Sequence, residues 1–305
     1  MDKPIIQWKR RKYPVSIKKY KILHKHTRRR AGDLNTHLKT PRSFLTKTGG
    51  FLEDYTYSLN PYTGCAFGCS YCYVRRLPVS LFRQEEWGTW VDVKQAEKEK
   101  FKKELQRAGK KGPVRIFMSS STDPYQAEEA KNEVTRTLLS AMAEEKPDFL
   151  FVQTRSPLVK RDIEWFHQLK DRILVSITIE TDREDVRKAF APAAPPIAAR
   201  MKALEQLTAE GIPSQAAVAP MLPFTETFPE KLRGVTNFIT LDDFFQGDGG
   251  GGKRSASLGA EEILAGLGEN DWFNPDRIQK EQSRFEAVFG KSNVRISRDG
   301  FAPFR

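Results

Sequence analysis

The three cysteines of this chain lie within one short stretch, GCAFGCSYCYVRR (64–76), and the sequence has no other cysteine. Cys65, Cys69 and Cys72 follow the spacing C-x3-C-x2-C. An odd number of tightly clustered thiols argues against a framework of structural disulfides. Thiolates at such spacing suit a metal centre, either zinc or an iron–sulfur cluster.

Ligand number separates these two kinds of centre only in part. Zinc normally takes four ligands, so a zinc site with three cysteines needs one of the four histidines. Three of them lie near the N-terminus (His24, His26 and His37), and His167 falls in a predicted helix. A cluster held by three thiolates keeps one iron open for chemistry. On the residues alone, zinc and such a cluster both remain.

The elements that must position this loop alternate between strands and helices. Near-continuous apolar strands between helices predict a parallel sheet covered by helices. Six such units are too few for a complete eight-stranded barrel. We therefore predict an α/β fold with a partial (β/α)6 barrel of the TIM type, the alternative being a doubly wound open sheet. The predicted strands are a short one before the cysteines, then 114–119, 148–154, 173–180, 213–222 and 237–243, and the predicted helices are 92–112, 126–145, 160–169, 197–210 and 228–235.

Charge and composition divide the chain into three parts. Residues 1–50 hold 15 Lys/Arg against 2 Asp/Glu, whereas the remainder holds 36 against 37. We predict a basic, flexible arm (1–50), a barrel (51–245), and a Gly-rich linker with a helical extension (246–305) that ends in a tail. The arm suits a polyanion such as nucleic acid, or else it is a solvated segment that keeps the protein soluble.

Membrane and secreted classes are not expected. No apolar run approaches the roughly 18 residues that span a bilayer, and the N-terminus lacks the apolar core of a signal peptide. We expect a cytoplasmic protein with no membrane partner.

The cysteine stretch resembles the motif of the radical S-adenosylmethionine (SAM) superfamily, C-x3-C-x-aromatic-C, with Tyr71 as the aromatic residue. Wider phrases are similar to the branch of spore photoproduct lyases and DNA repair photolyase-type radical enzymes. The phrases that carry this resemblance are SLNPYTGCAFGCSYCYVRR, FMSSSTDPYQ, TRSPLVKRDI, VSITIET, FAPAAPPIAARMKALEQLTAEGIP, AVAPMLP and LDDFF, between about residues 55 and 260.

The resemblance implies a [4Fe-4S] cluster held by Cys65, Cys69 and Cys72, with SAM at the fourth iron. It implies reductive cleavage of SAM to a 5′-deoxyadenosyl radical that takes a hydrogen atom from the substrate. It also implies an electron donor such as flavodoxin or ferredoxin.

Polar residues at strand ends are candidates for binding SAM. Thr122 matches a hydroxyl position near the cofactor in the family. Asp123 beside it faces the same region in this hypothesis, although either residue also suits the N-cap of the helix that follows. Arg155 ends the third predicted strand, where a cation suits the methionyl carboxylate.

The fourth predicted strand supplies three further candidates. Ser176, Thr178 and Glu180 alternate and so share one face, which suits contacts to SAM or a merely polar face. Arg200, in the helix 197–210, is either a cofactor contact or a surface ion-pair partner.

One position departs from the lyase pattern. Where the lyase has a cysteine that returns a hydrogen atom, this chain has Ser120, whose O–H bond is too strong for that role. Tyr71 and Tyr73 match tyrosines near the lyase's cluster, and Tyr73 is the candidate for relaying an electron and proton, unless it simply packs.

Three functions therefore stand as hypotheses. The first is a radical SAM enzyme that acts on nucleic acid, in the manner of a DNA repair lyase. The second is the same chemistry on a protein or small molecule. The third is a nucleic-acid-binding module with a zinc knuckle.

Overall fold

The computed structural model describes residues 34–303. Most of the predicted basic arm, including His24 and His26, lies outside the described residues. The described strands are β1 (Asn35–Lys39), β2 (Leu45–Lys47), β3 (Tyr57–Leu59), β4 (Tyr62–Thr63), β5 (Trp90–Lys94), β6 (Arg115–Met118), β7 (Phe149–Thr154), β8 (Ile173–Thr178), β9 (Ser214–Val218), β10 (Ile239–Leu241) and β11 (Val294–Ile296).

Helices connect and cover these strands. They are α1 (Pro78–Leu81), α2 (Lys98–Gly109), α3 (Glu129–Asn132), α4 (Val134–Glu144), α5 (Ile163–Gln168), α6 (Glu184–Phe190), α7 (Ile197–Ala209), α8 (Phe228–Arg233), α9 (Phe244–Gly247), α10 (Lys253–Ala256), α11 (Ala260–Gly266), α12 (Arg277–Phe289) and α13 (Arg298–Phe301). Short 3-10 turns lie at Gly50–Leu52, Tyr73–Arg76, Pro157–Asp162, Lys170–Arg172, Asn270–Trp272 and Lys291–Asn293.

The main sheet has eight strands in the order β11-β10-β9-β8-β7-β6-β3-β2. The six strands predicted from the sequence are β3 and β6 to β10, and they are consecutive and parallel in this sheet. Strand β11 adds a parallel edge, and β2 adds an antiparallel one. Among the described strands the sheet keeps these two edges and does not close, so the predicted partial α/β barrel is confirmed.

Two predicted helices differ from the structure. The helix predicted over 92–112 begins only at Lys98, because Trp90–Lys94 pairs as β5 with β1 and buries Val91 and Val93. The helix predicted over 126–145 breaks at Glu133, which has φ +48°. The buried carboxylate of Glu129 accepts from the backbone N–H groups that begin α4, and so it caps that helix across the break.

The predicted division into arm, barrel and extension stays a prediction, but several segments carry more structure than the sequence indicates. Strands β1 and β2 fall within residues 35–47. The Gly-rich stretch 247–259 folds around the carboxylate of Asp248, which accepts from the N–H groups of Gly250, Gly252 and Ser255.

The predicted tail contributes to the interior. Phe301, on α13, packs with Phe117 and Phe151 in an aromatic cluster inside the curved sheet. The hydroxyl of Tyr55 donates to the carbonyl of Phe301 at 2.5 Å, and the amide of Gln215 donates to the carbonyl of Gly300 at 2.8 Å. Among the described helices, none combines the length and the apolar character needed to cross a membrane.

Candidate active site

A cavity of about 510 Å³ lies at the carboxyl ends of the parallel strands. All three cysteines line it, together with residues that follow β6, β7 and β10. Because parallel strands end at one edge, side chains far apart in sequence meet here. The side chains that line the cavity include Tyr71, Tyr73, Phe117, Ser119, Ser120, Thr122, Asp123, Gln153, Arg155, Thr178, Asp242, Asp243, Asp248, Arg254 and Phe301.

The cysteine loop is fixed by hydrogen bonds to its own backbone. The guanidinium of Arg75 donates to the carbonyls of Gly68 and Cys69 at 2.8 and 2.9 Å. The backbone N–H of Ala66 donates to the side chain of Gln126 at 2.8 Å. These bonds hold the loop against the barrel, so the positions of the thiols are set in advance.

Gly64 begins this loop in a conformation that side chains rarely adopt, with φ +83°. A Cβ atom there would lie 2.6 Å from the carbonyl oxygen of Trp90 and 2.7 Å from its ring. We expect Gly64→Ala to lower the free energy of unfolding by about 2–4 kcal/mol, because strain and overlap add. Urea unfolding measures this effect. Gly109→Ala is the control, since a Cβ there meets nothing within 4 Å; equal stability of the two variants would contradict the prediction.

Burial keeps two of the thiols protonated in the absence of a cation. Burial, followed by the charge of Asp123, raises the pKa of Cys65 well above its usual value. Burial, followed by the charge of Cys69, raises the pKa of Cys72 to about 11. Metal binding requires thiolates, so a cation bound here must displace these protons.

A buried network of charges stands behind the thiols. Arg155 contacts the sulfur of Cys69, the hydroxyl of Tyr71 at 3.0 Å and the carboxylate of Glu180 at 3.4 Å. The other oxygen of Glu180 accepts from Arg200 at 2.6 Å. Burial disfavours the charged form of Glu180, but Arg200 and Arg155 outweigh it and hold the pKa of Glu180 below its usual value.

Arg200 is therefore not a surface residue. Its side chain is fully buried, and it also donates to the carbonyls of Thr178 and Pro195. The surface ion-pair alternative is wrong, because α7 turns this residue inward onto Glu180.

Thr122 and Asp123 connect the cysteine loop to the strand ends. The hydroxyl of Thr122 donates to the carbonyl of Gly64 at 2.5 Å. Both carboxylate oxygens of Asp123 are used within the protein: one accepts from Thr154 and the other from the backbone N–H of Arg155. Both residues line the cavity, but their polar groups are hydrogen-bonded within the protein and position its walls.

The two predicted hydroxyls of β8 lie in different places. Thr178 lines the cavity and accepts from Gln153 at 2.5 Å. Ser176 is fully buried below it, accepts from Gln215, and is not among the residues that line the cavity.

Tyr73 and Ser120, which the sequence comparison matched to hydrogen-transfer residues of the lyase, are adjacent. The hydroxyl of Tyr73 donates to the backbone carbonyl of Ser120. The hydroxyl of Ser120 accepts from Asn60 at 3.2 Å. Burial raises the pKa of Tyr73 above its usual value, so its phenol is neutral at physiological pH.

Neither histidine within residues 34–303 lines the cavity. His37 pairs with Glu85 and His167 with Glu210, both on the surface. The described residues also contain no group of three or more His, Cys, Asp or Glu arranged to hold a single metal ion. The described part of the chain thus brings no histidine to the cysteines.

The sequence prediction did not name the acidic residues of the cavity. Asp242 and Asp243 follow β10, and Asp248 follows α9 beside Arg254. The signal was present in LDDFF, where two carboxylates end an apolar strand at the same edge as the cysteines.

Asp242 makes stability depend on pH. Burial, and then the charges of Asp243 and Asp248, raise its pKa to about 7. In the unfolded chain its pKa is about 4, so the native state binds more protons between these values. We therefore expect the contribution of Asp242 to the free energy of unfolding to fall by a few kcal/mol as the pH rises from 4 to 7. Urea unfolding across this range should show that Asp242→Asn gains stability relative to Asp271→Asn, on the surface, as the pH rises; a constant difference between the two variants would contradict the assignment.

The family model described as the radical SAM superfamily matches residues 59–233 of this chain. That range contains the cysteine loop and the strands β4 to β9, and it begins at the last residue of β3.

Sequence relatives cover part of the chain. An uncharacterized protein of Methanocaldococcus jannaschii is 32% identical over 167 residues, which are 55% of this chain and 61% of that protein. An uncharacterized protein of Acidianus two-tailed virus is 29% identical over 205 residues, 64% of this chain and 65% of that protein. The chain thus spans less than two thirds of the length of these curated relatives.

Solved structures of spore photoproduct lyase share the fold. One variant of that enzyme superposes with a TM-score of 0.62 at 12% identity, covering 86% of this chain and 81% of the other. The lyase in complex with dinucleoside spore photoproduct gives 0.59 at 11% identity with the same coverage. The family match over more than half of the sequence, on a partial barrel whose cavity holds the three cysteines, shows that this chain belongs to the radical SAM superfamily.

Proposed function

We propose that this protein is a radical SAM enzyme in which Cys65, Cys69 and Cys72 hold a [4Fe-4S] cluster. The observation that carries the proposal is that every cysteine of the chain lines one cavity at the carboxyl ends of the strands. The donor set fits a cluster, because thiolates are its usual ligands and three of them leave one iron for the cofactor.

The surroundings fit a bound cofactor as well. Oε1 of the cavity residue Gln153 is buried and has no hydrogen-bond partner among the described residues. Buried polar groups are rarely left without a partner, so this oxygen supports a polar occupant.

A cluster held by Cys65, Cys69 and Cys72 would supply the one-electron reduction that cleaves SAM, and the radical chemistry would be the cofactor's. Arg155 stands beside Cys69 as the cation for the methionyl carboxylate, and Thr178 offers a hydroxyl on the cavity wall. Tyr71, Glu180 and Arg200 act in this proposal by holding Arg155. Thr122, Asp123 and Ser176 support the walls, and Tyr73 remains the candidate for relaying an electron and proton.

Nucleic acid is the proposed substrate class. Support comes from the charge of residues 1–50 and from the fold shared with spore photoproduct lyase, which has been solved in complex with dinucleoside spore photoproduct. The identical reaction is not proposed, because Ser120 stands where the lyase has its hydrogen-donating cysteine. A flavodoxin or ferredoxin is the proposed source of the electron.

The test is anaerobic reconstitution of the full chain with iron and sulfide, followed by dithionite and SAM, with and without DNA or RNA. We expect a brown protein that forms 5′-deoxyadenosine, and salt-dependent nucleic-acid binding that is lost on deleting residues 1–33. A colourless protein that binds zinc and leaves SAM intact would contradict the proposal. Formation of 5′-deoxyadenosine without nucleic-acid binding would instead favour a protein or small-molecule substrate.

A further inference from the structure

The end of the cavity at β10 is rich in hydrogen-bond acceptors. Asp242 and Asp243 follow this strand, are 6% and 7% exposed, and line the cavity together with Asp248. Arg254 lies beside them, but its guanidinium already donates to the backbone carbonyl of Asp248 at 2.8 Å. The raised pKa of Asp242 reflects negative potential from these neighbours as well as burial.

One carboxylate oxygen of Asp243 accepts hydrogen bonds, and the other has no hydrogen-bond partner among the described residues. Its Oδ1 accepts from the N–H groups of Phe245 and Gln246 at 2.9 and 2.6 Å, and so caps α9. Its Oδ2 is buried and has no hydrogen-bond donor among the described residues. A buried carboxylate oxygen without a donor calls for one from whatever occupies the cavity.

An independent observation comes from another part of the same cavity wall, at the end of β6. Ser119 ends β6 at φ +78°, a strained conformation for a residue with a side chain. Its backbone N–H is fixed to the carbonyl of Leu59 at 2.8 Å, and its 6% exposed side chain lines the cavity with an unpartnered hydroxyl. The fold thus places a second polar group, the Ser119 hydroxyl, at the cavity wall without a hydrogen-bond partner among the described residues.

Aromatic side chains also line this cavity. Phe117 and Phe301 are among them and belong to the aromatic cluster inside the sheet. A cavity that has both flat apolar walls and isolated acceptors suits a planar ring that carries N–H donors at its edge.

We propose that the substrate presents an amino-bearing planar ring to this acceptor end, and that Asp243 accepts a hydrogen bond from the amino group. The inference rests on the proposed function, since it places the substrate beside the proposed cofactor. In nucleic acid it selects cytosine, adenine or guanine over thymine or uracil, because only the first three carry an exocyclic amine.

Cytidine and uridine are matched probes, since cytidine carries an amino group where uridine carries a carbonyl. The reconstituted full chain is first saturated with S-adenosylhomocysteine, which occupies the cofactor's place, and equilibrium dialysis then measures nucleoside affinity. We expect cytidine to bind about 10-fold more tightly than uridine, as one discriminating polar contact allows.

Asp243→Asn tests the residue itself. The cap requires an acceptor facing Phe245 and Gln246, so the asparagine oxygen takes the place of Oδ1 and its NH₂ group takes the place of Oδ2. This exchange turns an acceptor into a donor, and we expect it to abolish or reverse the preference for cytidine. Asp185→Asn, on α6, is the control and should keep the preference.

Ser119→Ala is a second variant, and it removes no hydrogen bond among the described residues. We expect it to weaken cytidine binding about threefold, in line with the loss of one polar contact. Equal binding of both nucleosides to the wild-type chain, or an unchanged preference in Asp243→Asn, would overturn the inference. Cytidine binding that occurs without S-adenosylhomocysteine and is lost in its presence would also overturn it, because Asp243 would then belong to the cofactor's own site. Iron content and 5′-deoxyadenosine formation are measured in the same preparation. If both are normal while the cytidine preference is absent, the inference fails and the proposed function stands.

Discussion

Replacing Cys69 with alanine is expected to remove the visible absorbance of the reconstituted protein and to lower 5′-deoxyadenosine formation at least 100-fold. The chain has no fourth cysteine to substitute for the lost thiolate. A cluster with two protein ligands is bound poorly, and the electron that cleaves SAM then has no source. Iron and sulfide content, visible absorption and product analysis measure the three parts of this result.

The same loop offers a matched control. Ser70 lies next to Cys69, and its buried hydroxyl has no hydrogen-bond partner within residues 34–303. Ser70→Ala therefore removes one atom without breaking a hydrogen bond and is expected to keep both the cluster and the cleavage. Full cleavage by Cys69→Ala, or equal loss in both variants, would rule out the assigned role of the thiol.

Replacing Arg200 with methionine is expected to destabilise the protein by about 3–5 kcal/mol, the usual cost of leaving a buried charge without its partner. Glu180 is 2% exposed, and Arg200 is its nearer cation at 2.6 Å, against 3.4 Å for Arg155. Methionine retains much of the side-chain volume, so a lost charge rather than a cavity dominates the effect. Urea unfolding at pH 7 measures the difference.

A second substitution separates charge from packing. In the double variant Glu180→Gln, Arg200→Met the uncompensated carboxylate is gone, so we expect it to recover part of the lost stability. Lys100, on α2, forms an exposed ion pair with Glu97, and their side chains are 55% and 71% exposed. Lys100→Ala should therefore leave stability almost unchanged. A loss no larger in Arg200→Met than in Lys100→Ala would show that the buried pair contributes nothing.

Local patterns in the sequence were sufficient for the sheet and for the cysteines. The parallel strands β6 to β10 are short, largely apolar runs, and burial on both faces selects such runs regardless of the rest of the chain. The thiols are close in sequence, so their spacing alone placed Cys65, Cys69 and Cys72 in one loop. The helix start at Lys98 was missed because Trp90–Lys94 becomes a strand only through pairing with β1, a contact between distant residues.

The partners of the buried polar residues were decided by the tertiary structure. Nothing local to Arg200 distinguishes a surface ion pair from a buried one, because the choice depends on how α7 packs on β8. Asp243 and Ser119 stand 124 positions apart, yet β10 and β6 end at one edge and bring both to the cavity. Phe301 belongs to the interior only because β11 pairs with β10 and directs α13 onto the curved sheet. The sequence by itself thus determined the radical SAM motif and the alternation of strands and helices along the chain, which depend on short-range spacing and periodicity. The charges and acceptors that surround the thiols depend on long-range contacts, and only the folded chain specifies them.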